Sequence, residues 1–275
     1  MKNKAGKWVT VLLLLGLLAT QALAFGEARR ELVVCADPNN LPFSNRAGGG
    51  FENKLAELVA RDLGAHLRYV WWAQRRGFVR NTLTEAKCEL WPGVASGLER
   101  VLTTRPYYRS TYVFVSRKDR QLDGLTLDDS RLKEVRVGVQ MIGNDATNTP
   151  PAHALARRGI VRNVRGYSVF GDYEHPNPPA RIVEAVAKGE IDVGLVWGPL
   201  AGYFASRSDA PLRVQPVTPA LDAGVWPMTY DISMGISRAE PQLRARVDEI
   251  LGTEAAQVRR ILRGYHVPIS SGERP

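Results

Sequence analysis

Of the 275 residues, 44% are hydrophobic and 24% charged, with 25 Gly and 17 Pro. That is globular composition, not a disordered, collagenous or repeat-built chain. Four His and two Cys are too few for a zinc-finger array or an iron–sulfur centre, and the formal charge of +9 comes without an aromatic-spaced basic patch, which argues against a nucleic-acid partner.

The N-terminus inflates that charge. Lys2, Lys4 and Lys7 precede an apolar run over residues 9–19, and Ala22-Leu23-Ala24 has the small-x-small form of a signal-peptidase site. The run is shorter than the roughly 20 residues a membrane span needs. The order predicts a signal peptide over residues 1–24, cleaved after Ala24, and no membrane span afterwards. Removing 24 of 275 residues leaves 251, with 34 basic against 28 acidic side chains, or +6. In an oxidising compartment Cys35 and Cys88 form either one disulfide or two buried thiols.

Residues 31–36 read as a strand, stopped by the turn chemistry of Asp37-Pro38-Asn39-Asn40. Phe51, Leu55, Leu58, Val59 and Leu63 keep helical spacing until Gly64. A strand over 67–72, a helix over 77–86 and a strand over 89–94 follow. Strand–helix–strand order favours a parallel sheet covered by helices. A longer extended run spans 107–116. A second unit then starts with a strand at 136–140, a helix at 151–158 and an extended run at 161–169. Pro178 opens a helix that Gly189 closes, the apolar run 191–197 reads as a buried strand, and 199–207 reads as a helix. Extended runs at 212–217 and 231–237 lead into amphipathic helices at 243–251 and 254–262.

One architecture thus occurs twice, and the last extended run fits a return to the first unit. Two strands, near 112–117 and 230–236, would then cross between lobes and form a hinge, with a cleft where a ligand or partner binds. The expected division is lobe 1 from residues 25–115 and 229–270, and lobe 2 from 116–228.

Asp37, Asn39 and Asn40 follow the first strand, where open α/β sheets hold their ligands; the competing reading is a self-satisfied Asx turn. Arg100 suits a bidentate grip on a carboxylate, or else a surface ion pair. Asn144 and Asp145, in a glycine-led turn, offer amides for an anion that Asp145 itself would repel. Trp197 either walls the cleft or plugs the core beneath the hinge. No GxSxG elbow, HExxH helix, Walker loop or GxGxxG fingerprint occurs, so the chain is expected not to be an enzyme.

The strand at 32–36, Pro42-Phe43, Phe51-Glu52, Glu99-Arg100, Tyr107-Tyr108 and Val137-Gly138-Val139-Gln140 together resemble the type II periplasmic solute-binding fold. The resemblance implies an α/β protein of two discontinuous lobes with central mixed sheets joined by a two-strand hinge. In its polar amino-acid binders the arginine matching Arg100 grips the ligand carboxylate and an acid late in the second lobe holds the amine. Here Trp197-Gly198-Pro199 stands instead, so the amino-acid site is incomplete. Longer stretches are similar to one subgroup, the J proteins encoded with quinoprotein (PQQ-dependent) methanol dehydrogenases: residues 36–45, 74–78, 103–112, 148–155 and 196–204.

That similarity implies a periplasmic accessory protein that assists maturation or activation of the dehydrogenase, with the dehydrogenase and its cytochrome as candidate partners. The quinone and the metal belong to the dehydrogenase, so neither a cofactor nor a metal is assigned to this chain. Asp37, Asn39, Phe43, Glu52, Trp91, Arg100, Gln140, Asn144, Asp145 and Trp197 are the candidate cleft residues. Arg75, Arg76, Phe78 and Arg105 are the candidate partner contacts. The competing function is a receptor for a small polar or organic solute.

Overall fold

The computed structural model describes residues 31–75, 77–142, 148–168 and 173–269. The predicted signal peptide and the candidates Arg76, Asn144 and Asp145 lie outside them.

The strands are β1 (Glu31–Ala36), β2 (Asn39–Asn40), β3 (Ser44–Asn45), β4 (His66–Trp71), β5 (Leu90–Ala95), β6 (Leu102–Thr103), β7 (Tyr108–Arg117), β8 (Val137–Met141), β9 (Val164–Ser168), β10 (Val193–Trp197), β11 (Leu212–Pro216), β12 (Leu221–Asp222), β13 (Trp226–Pro227) and β14 (Thr229–Ile236). The helices are α1 (Phe51–Asp62), α2 (Phe78–Asn81), α3 (Pro150–Arg157), α4 (Arg181–Ala187), α5 (Gly198–Ala205), α6 (Pro241–Thr253) and α7 (Ala255–Gly264).

The main sheet runs β4-β1-β5-β14-β7-β10-β8-β9, with β6 added on β14 and β11 on β7. Both ends are parallel: β1 pairs parallel with β4 and β5, and β8 with β10 and β9. Antiparallel β14 and β7 join them. β7 is shared. Its first half pairs with β14, from Tyr108↔Ile232 to Thr111↔Thr229. Its second half, Tyr112 to Arg117, lies between β10 and β11. The outgoing strand therefore changes partners at Thr111/Tyr112. The returning chain crosses at Met228, whose carbonyl accepts from the Tyr112 amide at 2.8 Å, a little earlier than the 230–236 run suggests.

Each end has its own core. Leu32, Phe51, Leu55, Val59 and Met234 are buried together with Leu243, Val247 and Leu262, so α6 and α7 pack on the unit that opens the chain. At the other end, Phe114, Leu132, Leu155 and Leu195 fill one side of the sheet, and Val113, Ile182, Val186 and Val196 the other. Apolar burial at these positions is the main stabilising contribution, at roughly 1.5–3 kcal/mol per fully buried large side chain. Cys35 and Cys88 are bridged, with Cα atoms 5.6 Å apart, which ties β1 to the turn before β5.

The helix expected over 77–86 is a single turn. The Thr82 hydroxyl donates to the Phe78 carbonyl at 2.6 Å and Thr82 leaves helical geometry (φ −126°, ψ −87°), so the side chain competes with the ladder and ends it. Pro178 begins a 3₁₀ turn, Pro178–Ala180, ahead of α4.

A third tie joins the two ends beside the crossing strands. The Ser110 hydroxyl donates to the Pro268 carbonyl at 2.7 Å, and Tyr265 stacks on Tyr203 of α5 at 5.7 Å. Gly198 and Gly202 make this possible. A Cβ at Gly202 would collide with the His266 carbonyl, and one at Gly198 with the Thr111 carbonyl.

Candidate functional site

The site is built from the loop after β1. The Asp37 carboxylate accepts from the Asn39 amide at 2.8 Å and from the Gln74 amide at 2.7 Å, while Ser44 bonds both the Asp37 amide and carbonyl. The buried acid thus clamps the loops after β1 and β4 together. The same loop caps α1: the carbonyls of Pro42 and Phe43 accept the Phe51 and Glu52 amides at 2.8 and 2.9 Å. Gly50 has no room for a Cβ against Phe43. This close approach sets Phe43 and Glu52 side by side at the cleft.

From the far side, β10 delivers Trp197. Its amide donates to the Gln140 side-chain oxygen at 2.7 Å, and its ring meets Tyr112 and Tyr230 edge-on, with centroids at 5.2 and 5.9 Å. Tyr112 and Tyr230 stand on the two crossing strands, so Trp197 both walls the cleft and packs at the hinge.

Two adjoining cavities result. The larger, about 290 Å³, is lined among others by Asn40, Tyr112, Gln140, Pro179, Leu200 and Tyr230. The smaller, about 190 Å³, is lined by Glu52, Gly93, Tyr108 and Ile232 among others. Asn40, Phe43, Gln74 and Trp197 belong to both. Among the described residues no Lys, Arg or His lines either. Burial, reinforced by the nearby Asp37 carboxylate, pushes the Glu52 carboxyl up to about 8. Burial also raises the Tyr108 hydroxyl well above its ordinary value. Among the described residues no group of three or more His, Cys, Asp or Glu is placed to hold a metal ion, and no helix is long and apolar enough to cross a membrane.

The loop after β1 also reaches across the cleft. Asn39 donates to the His175 carbonyl at 2.8 Å and accepts from the Asn177 amide at 3.2 Å, and the Tyr173 hydroxyl donates to Asp37 at 2.6 Å. Asp37 and Asn39 bond to the loop after β4 and to residues 173–177 across the cleft, and neither lines either of these two cavities. Phe43, Glu52, Gln140 and Trp197 are the predicted cleft residues that come together around the cavities. Trp91 packs instead on Phe78, ring centroids 4.7 Å apart, beside the disulfide. Arg100 is exposed in the loop between β5 and β6. Of the predicted partner contacts, Phe78 is buried and Arg75 is exposed. Arg105 is exposed too, its amide and guanidinium held by Asp248 of α6.

Sequence reasoning did not single out Gln74, Tyr108, Tyr112, Pro179, Leu200 or Tyr230 as site residues. Gln74, Tyr108 and Tyr230 carried a signal, as polar or aromatic residues near strand ends; Tyr112 lies in mid-strand, and Leu200 and Pro179 look like any core residue.

No family model matches the chain. Protein MoxJ of Methylorubrum extorquens AM1 is 33% identical over 249 residues, covering 86% of this chain and 81% of that protein. Protein MoxJ of Paracoccus denitrificans is 31% identical over 267 residues, covering 92% of each. The crystal structure of periplasmic binding protein XoxJ from Methylobacterium extorquens AM1 superimposes with a TM-score of 0.72 at 38% identity, over 88% of this chain and all of that one. With the two-lobe sheet, the shared strands and kinship along most of its length, this chain belongs to the J-protein subgroup of the type II periplasmic solute-binding family, non-catalytic periplasmic proteins associated with the quinoprotein methanol dehydrogenase system.

Proposed function

We propose that the protein assists maturation or activation of a quinoprotein methanol dehydrogenase by direct contact through the rim of its cleft. The observation that carries this reading is the lining of the cleft. Among the described residues, a fold otherwise suited to capturing solutes offers no basic side chain to a ligand carboxylate, while Arg100 stands outside, exposed. Kinship with MoxJ and XoxJ points the same way. In this reading cleavage follows Ala24, lobe 1 comprises residues 25–115 and 229–270, and lobe 2 residues 116–228. Exposed Arg75 and Arg105 meet an acidic partner surface. The dehydrogenase is the primary partner, with its cytochrome as the second.

The test is a pull-down from periplasm with the mature protein, followed by dehydrogenase assays with and without it. Retention of the dehydrogenase, weakened by Arg75→Glu or Arg105→Glu, and lower activity in cells lacking this protein are expected. No retention together with unchanged activity would remove the proposal. Recovery of the cytochrome alone would reassign the partner.

A further inference from the structure

The smaller cavity holds a buried acid that has no pairing group among the described residues. Glu52 is 4% exposed, and no side chain or amide among the described residues hydrogen-bonds its carboxylate. Burial makes ionisation of such an acid costly unless a counter-charge accompanies it, so the group keeps its proton until one arrives. Among the described residues neither cavity has a basic side chain in its lining.

The surroundings favour positive charge. The titratable groups facing Glu52 among the described residues are Asp37 after β1, Tyr69 on β4, Tyr107 just before β7 and Tyr108 on β7, acids all. Tyr107 donates to the Pro92 carbonyl at 2.8 Å, and the Asp37 carboxylate is engaged by Asn39, Gln74 and Tyr173. Glu52 stands in the first turn of α1, where the helix dipole favours its ionised form once a counter-charge is present. Phe43, Tyr108 and Trp197 add aromatic rings to the wall, the setting in which organic cations are bound. Gly93 supplies the space: a Cβ there would collide with the Glu52 carboxylate. The cavity of about 190 Å³ equals roughly six waters at about 30 Å³ each.

We infer that the smaller cavity binds a small organic ammonium that carries no carboxylate, with Glu52 as its counter-ion and Phe43, Tyr108 and Trp197 as its aromatic enclosure. An α-amino acid is disfavoured by chemistry, because its carboxylate would enter a site whose described residues include an acid and no base. The inference concerns a small ligand and does not depend on the dehydrogenase contact proposed above; the two stand or fall separately.

Titration calorimetry on the mature protein tests it. The probes are the chlorides of methylammonium, butylammonium and tetramethylammonium, with 1-butanol as neutral counterpart and glycine as zwitterion. A cation requires ionised Glu52, so affinity for at least one ammonium should rise about tenfold from pH 6 to pH 7 and level off above pH 8. Butanol and glycine should bind at least tenfold more weakly at pH 8. Glu52→Gln should remove ammonium binding. Should that variant not fold, the pH series and the butanol comparison on the unaltered protein decide alone. No ammonium binding at millimolar concentration, butanol binding as tightly as butylammonium, or full binding by folded Glu52→Gln would each overturn the inference.

Discussion

The two ends of the sheet share one strand–helix–strand plan but are secured by different chemistry. The end that opens the chain joins β1 to the turn before β5 with the Cys35–Cys88 bridge and keeps an unpaired acid, Glu52, beside its cleft. The other end has no bridge among its described residues and uses arginine–aspartate clusters instead. Buried Asp222 pairs with Arg158 at 2.8 Å and Arg157 at 3.1 Å, and Asp192 pairs with Arg136 at 2.9 Å and Arg120 at 3.3 Å. The lesson is one of sign. The first end carries an acid whose folded environment disfavours charge; the second carries acids whose environment demands it.

Breaking the bridge is the harshest test of that contrast. Cys35→Ser with Cys88→Ser frees a loop of 53 residues' separation and should cost about 4 kcal/mol by chain entropy. Denaturant unfolding measures the loss, and hydrogen exchange should place it in β1 and β5 and leave β8 unchanged. Equal deprotection of both ends would mean that the two cores do not respond separately.

Next in size is Asp222→Ala, which strands Arg158 with only Asp128 and should cost about 3 kcal/mol at pH 7. Pairing with Arg158 holds the Asp222 carboxyl below its usual range. Its contribution is therefore full above the unfolded value near 3.9 and fades as pH falls through the folded one. The gap between wild type and variant should narrow below about pH 4; a gap independent of pH would assign the loss to packing.

Glu52 should behave in the opposite sense. Its folded value of about 8 exceeds the unfolded value near 4.3, so the folded state keeps a proton that the unfolded state has lost. Stability should fall as pH rises through that window. Between pH 6 and pH 8 the Glu52→Gln variant should lose about 2 kcal/mol less than wild type, read from denaturation midpoints. Parallel curves would show that Glu52 is ionised throughout. The smallest effect belongs to Lys54→Ala. Its pair with Glu57 at 2.9 Å is exposed on α1, so the change should stay within about 0.5 kcal/mol.

The regular elements were legible because each obeys one period. The apolar stripe of α1 and the run at 191–197 declared their burial directly, and the return of the chain followed from helices reappearing after an unplaced strand. The site was legible only where an unusual residue stood at the end of an element, as with Phe43, Gln140 and Trp197 beside strand ends and Glu52 in the first turn of α1. Arg100 shows the limit: the dipeptide that resembles an amino-acid binder is present, yet its side chain is exposed on the loop between β5 and β6. The pairing of Tyr112 with Tyr230 around Trp197 depends on a crossing between residues more than 110 positions apart in sequence, which no local pattern encodes.

Two strands alone would let the lobes both bend and twist about one another. The strap formed by Tyr265 and Pro268, seated over the glycines of α5 and held by Ser110, adds a point of restraint off that axis. A restraint at that place opposes twisting more than opening, which would keep the opposing residues of the cleft in register.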